Sequence, residues 1–264
     1  MDTSKQPIGI FDSGVGGTSI WKEVVTRLPN EKTIYLADSK HAPYGQRSEK
    51  EILKLSIKNT EKLIALGSKL IIVACNTATT NAISYLRTQY PVPFIGIEPA
   101  IKPAALQSKT GKIGILATKG TLNSRLFAET SEKYAGNLEV IEVIGEGLVP
   151  LIEQGEIDTK ETKALLQSYI NPMIQAGVDA IVLGCSHYPY LIPALNTLLP
   201  KHIRIIDSGT AVARQTEHIL IKQNLLVETP SKEKHLFYSN TQTTTLESLL
   251  KDFNKRCTYK VLDF

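Results

Sequence analysis

The sequence predicts an α/β protein made of two pseudo-symmetric units with mostly parallel sheets and a site in the cleft between them. Three observations carry this expectation. Short β-branched runs alternate with longer helical patterns along most of the 264 residues, the arrangement in which helices cover both faces of parallel sheets. The chain also repeats itself. "IGIFDSG" (8–14) resembles "IGILATK" (113–119), "LIIVACNTA" (70–78) resembles "AIVLGCSHY" (180–188), and "FIGIEPA" (94–100) resembles "RIIDSGTA" (204–211), in one order and at offsets of about 105 to 110 residues. Finally, no low-complexity segment or long linker divides the chain. The expected partition is a first domain of residues 1–98 plus 208–264 and a second of 99–207.

The strands are expected at 8–11, 33–36, 70–74, 94–97, 112–116, 138–143, 180–184 and 203–206. Of the helices, 48–66 is the clearest. Ile52, Leu55, Ile57, Leu63 and Leu66 fall on one apolar face, and Ser48 with Glu51 forms a capping box. The tail after residue 206 holds no third copy of the repeat. It reads as a helix (210–223), a strand (235–238) and a further helix, packed back on the first unit.

Composition narrows the function classes. Hydrophobic residues make up 42%, enough for a large core, and the net charge is only +4 with the basic residues scattered, which argues against a nucleic-acid groove. The basic cluster at 251–256 reads as a solvated helix face. Residues 1–7 show neither a basic nor an apolar leader region, and no apolar run has membrane-spanning length. A cytoplasmic chain is therefore expected. Reduced thiols follow, and the three cysteines need another explanation than disulfides.

Two of the cysteines occupy equivalent places. Cys75 and Cys185 each follow an apolar strand and precede polar residues able to cap a helix, Asn76-Thr77 and Ser186-His187. Ligands of open α/β sheets bind beyond the carboxyl ends of the strands. Both thiols should then face a cleft, each near a helix N-terminus that favours the thiolate and attracts a carboxylate. A lone strand-end cysteine is usually packing, and Cys257 is read that way. The pairing at repeat-equivalent positions makes function the better account of the other two.

Around them lie further candidates. Asp12-Ser13 ends the first strand ahead of Gly14, Gly16 and Gly17, without a full dinucleotide or Walker fingerprint. The matching pair in the second unit is Ala117-Thr118, so a hydroxyl recurs and Asp12 breaks the symmetry. The loop 38–45 carries turn residues and offers the Tyr44 hydroxyl and the Gly45 N–H, unless it is a plain surface turn. His187, two residues past Cys185, suits an acid/base group or a tuner of the thiol, unless it merely satisfies local backbone.

Two thiols suit one reaction well. Inverting Cα of an amino acid needs a base on one face and an acid on the other. Cysteine supplies both forms, from a free pKa of about 8.5. A Cys185–His187 nucleophilic hydrolase would leave Cys75 unexplained. A zinc site from Cys75, Cys185 and His187 and a non-catalytic binding protein also stay open.

As a set, "FDSGVGG" (11–17), "DSKHAPYG" (38–45), "ACNTA" (74–78) and "GCSHYP" (184–189) resemble the glutamate racemases of the aspartate/glutamate racemase superfamily, over about residues 8–211. The resemblance implies interconversion of L- and D-glutamate without pyridoxal phosphate, other cofactor or metal. An aspartate racemase or another two-cysteine isomerase is the alternative within the superfamily. It implies Cys75 and Cys185 as the acid/bases, acting on D- and L-glutamate respectively. Asp12 would lie near the substrate amino group and Cys75, with Glu153 and His187 near Cys185. Implied substrate contacts are Asp12, Ser13, Tyr44, Gly45, Asn76, Thr77, Thr118, Ser186 and His187. A cytoplasmic homodimer supplying D-glutamate for peptidoglycan is implied too. One departure is visible: Ser186 stands where the family usually has threonine.

Overall fold

A computed structural model describes residues 3–229 and 233–264; the first two residues of the N-terminal segment lie outside them. The first unit runs β1 (Ile8–Asp12), α1 (Thr18–Arg27), β2 (Thr33–Ala37), α2 (Glu49–Ala65), β3 (Leu70–Val73), α3 (Asn76–Gln89) and β4 (Phe94–Gly96); α4 (Ile101–Gln107), whose Ile101 and Ala104 join the core of the other sheet, leads into the second. The second runs β5 (Lys112–Ala117), α5 (Lys119–Leu122), α6 (Arg125–Ala135), β6 (Glu139–Ile144), α7 (Leu148–Glu153), α8 (Lys160–Ala176), β7 (Ala180–Gly184), α9 (Ile192–Leu198) and β8 (Arg204–Ile206). The tail adds α10 (Gly209–Lys222), β9 (His235–Ser239), α11 (Thr244–Leu249) and β10 (Cys257–Val261).

The duplication survives as topology. One sheet has the order β10-β9-β2-β1-β3-β4 and the other β6-β5-β7-β8, so β2-β1-β3-β4 and β6-β5-β7-β8 are the same arrangement. Every ladder is parallel. Phe11 pairs with Val73 and Ala117 with Gly184. This register carries Asp12 and Ala117 to matching positions, and Cys75 and Cys185 to matching positions just beyond their strands. β1, β3 and β7 are buried at every residue, as central parallel strands covered on both faces must be.

The tail packs back on the first sheet, with β9 against β2. Its last strand, β10, was not expected from the sequence. Cys257–Val261 is a short edge strand next to a charged turn, and it carries little apolar signal of its own. Residues 251–256 form a 3₁₀ helix whose charged side chains are exposed, and Cys257 is buried.

α2 begins as its capping box requires. Ser48 Oγ accepts the Glu51 N–H at 3.4 Å, and Glu51 Oε2 accepts the Ser48 N–H at 3.1 Å. One apolar cluster joins the two halves, running from Ile10, Trp21 and Val15 to Leu148, Ile152, Leu183 and Tyr188. No helix among the described residues is long and apolar enough to cross a membrane.

Candidate active site

The carboxyl ends of β1, β3, β5 and β7 meet at one place, and Cys75 and Cys185 both lie there, 4% and 6% exposed. Cys75 is the N-cap of α3, where its Sγ accepts the Ala78 N–H at 3.4 Å and its thiol donates to Ser13 Oγ at 3.7 Å. The helix terminus does favour the thiolate, as expected, but the surroundings outweigh it. Burial pushes the Cys75 thiol well above its ordinary range, the Asp12 charge adds to the effect, and the Ala78 N–H offsets only part of it.

Cys185 has different neighbours. No α-helix starts directly after it; a 3₁₀ turn, Tyr188–Leu191, comes first. Pro189 explains the difference. An α-turn would need the N–H of residue 189 to reach Cys185 O, and proline has none. The Tyr188 N–H takes that carbonyl instead, at 3.1 Å. Ser186 and His187 are therefore free of capping duty and turn toward the cleft. Ser186 Oγ donates to Asp12 Oδ1 at 3.1 Å, and His187 Nδ1 lies 3.8 Å from Cys185 Sγ.

His187 is held from its far side by Glu153, at the end of α7, with Nε2 to Oε1 at 2.6 Å. Its Nδ1 is also 4.0 Å from Asp12 Oδ2. Burial opposes the imidazolium, but the hydrogen bonds to Cys185 and Glu153 and the charges of Asp12 and Glu153 outweigh it, and they raise His187 well above its ordinary value. Glu153 is the joint of this network. Oε1 also accepts the Val15 N–H at 2.7 Å, and Oε2 accepts Ser39 Oγ at 2.9 Å. Asp12, completely buried, accepts the N–H groups of Gly14 and Gly17 at 3.3 and 2.9 Å. Burial nevertheless raises its pKa, with the His187 charge and the Gly17 N–H opposing.

Glycine permits this close meeting. A Cβ on Gly16 would stand 2.2 Å from His187 Nδ1, and one on Gly45 would stand 2.6 Å from Thr118 Cβ. On that second side the two halves touch through hydroxyls. Thr77 Oγ1 is 2.8 Å from Thr118 Oγ1 and 3.2 Å from Thr121 Oγ1. A cavity of about 280 Å³ lies alongside, lined by Pro43, Gly45, Thr118, Gly145 and Val149; neither cysteine lines it. The cleft is closed over the thiols.

The structure thus brings together Asp12, Ser13, Gly45, Cys75, Thr77, Thr118, Glu153, Cys185, Ser186 and His187. Asn76 sits beside Cys75, with Nδ2 donating to Ile97 O at 3.4 Å and Oδ1 buried without a hydrogen-bond partner among the described residues. Tyr44 differs from expectation. Its hydroxyl is buried and donates to Asp38 Oδ2 at 2.5 Å, within its own loop. Thr121, Asp38 and Ser39 were missed. Thr121 had a signal, three residues past Thr118 at helical spacing. Among the described residues no cluster of three or more His, Cys, Asp or Glu is arranged to hold a metal ion.

A family model described as Asp/Glu/hydantoin racemase matches residues 9–216. The chain belongs to that family. The family's span includes every cleft residue named here and stops before β9. A glutamate racemase of Ectopseudomonas mendocina is 42% identical over 251 residues, 95% of each chain. An Escherichia coli glutamate racemase solved with L-glutamate and an activator, UDP-MurNAc-ala, superposes with a TM-score of 0.84 at 31% identity, over 97% of this chain and 98% of that one. A Francisella tularensis glutamate racemase solved with D-glutamate gives 0.84 at 27% identity, over 98% of both chains.

Proposed function

We propose that this chain is a glutamate racemase that moves the Cα proton between Cys75 and Cys185. One observation carries the reading: two thiols at repeat-equivalent strand ends close into one buried site between the halves of the fold. Family membership and relatives named glutamate racemase support glutamate over aspartate as substrate.

In this mechanism D-glutamate loses its proton to the Cys75 thiolate, and the Cys185 thiol returns a proton to the opposite face; L-glutamate runs the reverse course. Asp12 takes the substrate ammonium. The pairing offsets the Asp12 charge, which after burial does most to raise the Cys75 thiol, so substrate itself eases ionisation of its base. His187, whose charged form Glu153 and Asp12 favour, stands beside Cys185 where negative charge develops. Backbone N–H groups at Tyr44 and Gly45 and the hydroxyls of Ser13, Thr77, Thr118 and Ser186 bind the two carboxylates, and the free Oδ1 of Asn76 suits the ammonium. Exclusion of water strengthens each of these interactions. The three threonines, now bonded to one another, exchange those bonds for substrate.

The same reading assigns residues 1–98 with 208–264 and residues 99–207 to two domains. It also has the enzyme work as a cytoplasmic homodimer without pyridoxal phosphate or metal, supplying D-glutamate for peptidoglycan. The test is polarimetry of L-glutamate and L-aspartate side by side, in D₂O. The expected result is loss of rotation for glutamate alone, with deuterium at Cα of the product. Stable rotation of L-glutamate, or racemisation without deuterium uptake, refutes it.

A further inference from the structure

The tail segment 240–245 lies outside both repeats and outside the span of the family match. Its side chains still reach both halves of the site. Asn240 Oδ1 accepts the Lys40 N–H at 2.9 Å, and its Nδ2 donates to Asp38 Oδ1 at 2.5 Å. Asp38 is buried. Its carboxylate also takes His41 Nδ1 at 2.6 Å and the Tyr44 hydroxyl at 2.5 Å, which Asn59 Nδ2 supports at 3.0 Å. The loop that ends in Tyr44-Gly45 is therefore drawn around one carboxylate, and Asn240 is the partner that the tail supplies. Five residues further along the tail, Thr245 Oγ1 donates to the Glu153 carbonyl at 2.9 Å, behind the carboxylate that holds His187. Ser39, Pro43, Glu153 and Thr241 line one cavity along this seam.

We propose that residues 240–245 form a strap that positions both halves of the site for racemisation: Asn240 sets the substrate-binding loop and Thr245 sets Glu153. The inference rests on the function proposed above. Neither side chain touches the reacting atoms, so both are positioning residues. Their effects should differ in kind. Releasing the loop means that substrate must order it on binding, which weakens binding without changing the bound chemistry. Releasing the Glu153 backbone shifts the His187 partner, which slows the chemical step in the bound complex.

The test compares the full-length wild type with Asn240→Ala, Thr245→Val and Arg256→Ala in steady-state racemisation of L- and D-glutamate. Arg256 lies elsewhere on the tail and bonds Pro29 O; its variant should keep wild-type KM and kcat. Asn240→Ala should raise KM about tenfold with kcat within about twofold, and Thr245→Val should lower kcat about tenfold with KM within about twofold. Wild-type KM in Asn240→Ala, or a kcat loss in Thr245→Val no larger than the loss of folded fraction seen by circular dichroism, overturns the strap. Should Asn240→Ala not fold, Asn240→Asp keeps the volume and the Lys40 acceptor while setting a carboxylate against Asp38, and it carries the same expectation. Wild-type enzyme inert toward glutamate would instead overturn the proposed function, and the strap with it.

Discussion

Acid should loosen the tail from the first sheet through one histidine. His235, at the start of β9, is buried; its Nδ1 lies 3.0 Å from Thr33 Oγ1, which in turn accepts Trp21 Nε1 at 2.8 Å. Burial, with Arg256 nearby, lowers its pKa from 6.5 to about 4. The sign follows from linkage. Unfolded chains take up the proton near pH 6.5 and folded ones only near 4, so the stabilisation is complete above 6.5 and is lost as pH falls between the two values. The loss amounts to about 2 kcal/mol by pH 5 and about 3 by pH 4, at 1.36 kcal/mol per unit of pKa difference. The assay is urea unfolding at pH 8 and pH 5, followed by fluorescence of Trp21, the one tryptophan, whose ring stands edge-on to His235 with centroids 5.2 Å apart. Comparison with His235→Gln isolates this residue from other titrations. The stability difference between wild type and variant should shrink by about 2 kcal/mol between the two pH values. A difference that stays constant would refute the assignment of a neutral, buried imidazole here.

Further expectations concern the site. Cys75→Ala and Cys185→Ala should each abolish racemisation in both directions, measured by circular dichroism of glutamate; turnover within tenfold of wild type in either would remove the two-thiol mechanism. Gly16→Ala sets a methyl group into the His187 ring and should lower kcat/KM by about 100-fold with thermal stability retained; normal kinetics would mean that the ring is not held there. The enantiomers are equal in free energy, so kcat/KM must be equal in the two directions at every pH. It should rise with pH along a limb set by the raised Cys75 thiol, and a flat profile from pH 6 to 9.5 would contradict a thiolate base.

Much of the fold could be read before the coordinates, because duplication writes the same residues twice. Matching strings at offsets of about 105 to 110 marked β1 with β5 and β3 with β7, and the sheets have that correspondence. The site was legible where its residues sit at strand ends, as Asp12, Cys75, Thr118 and Cys185 do. It was not legible where chain contacts are distant. Glu153 and His187 are 34 positions apart, and the contact of Ser39 with Glu153 spans 114; no spacing rule reaches that far. The Cys185 environment was misread for a local reason. Pro189 denies the α-turn, and that single missing N–H turns Ser186 and His187 from caps into cleft groups. At Cys75 the helix terminus acts as expected, through partial charges, and burial, which periodicity does not report, outweighs it.

The closure of the cleft makes its thiols a clock. Cys75 and Cys185 are almost without solvent contact, so an alkylating reagent meets them only while the halves are apart. If closing is fast relative to the reaction, the observed rate is the intrinsic thiolate rate multiplied by the fraction of time spent open. Glutamate bound between the halves, as proposed above, would slow labelling in proportion to its occupancy. Cys257, buried in the tail and away from the cleft, would keep its own rate in the same tube as an internal reference.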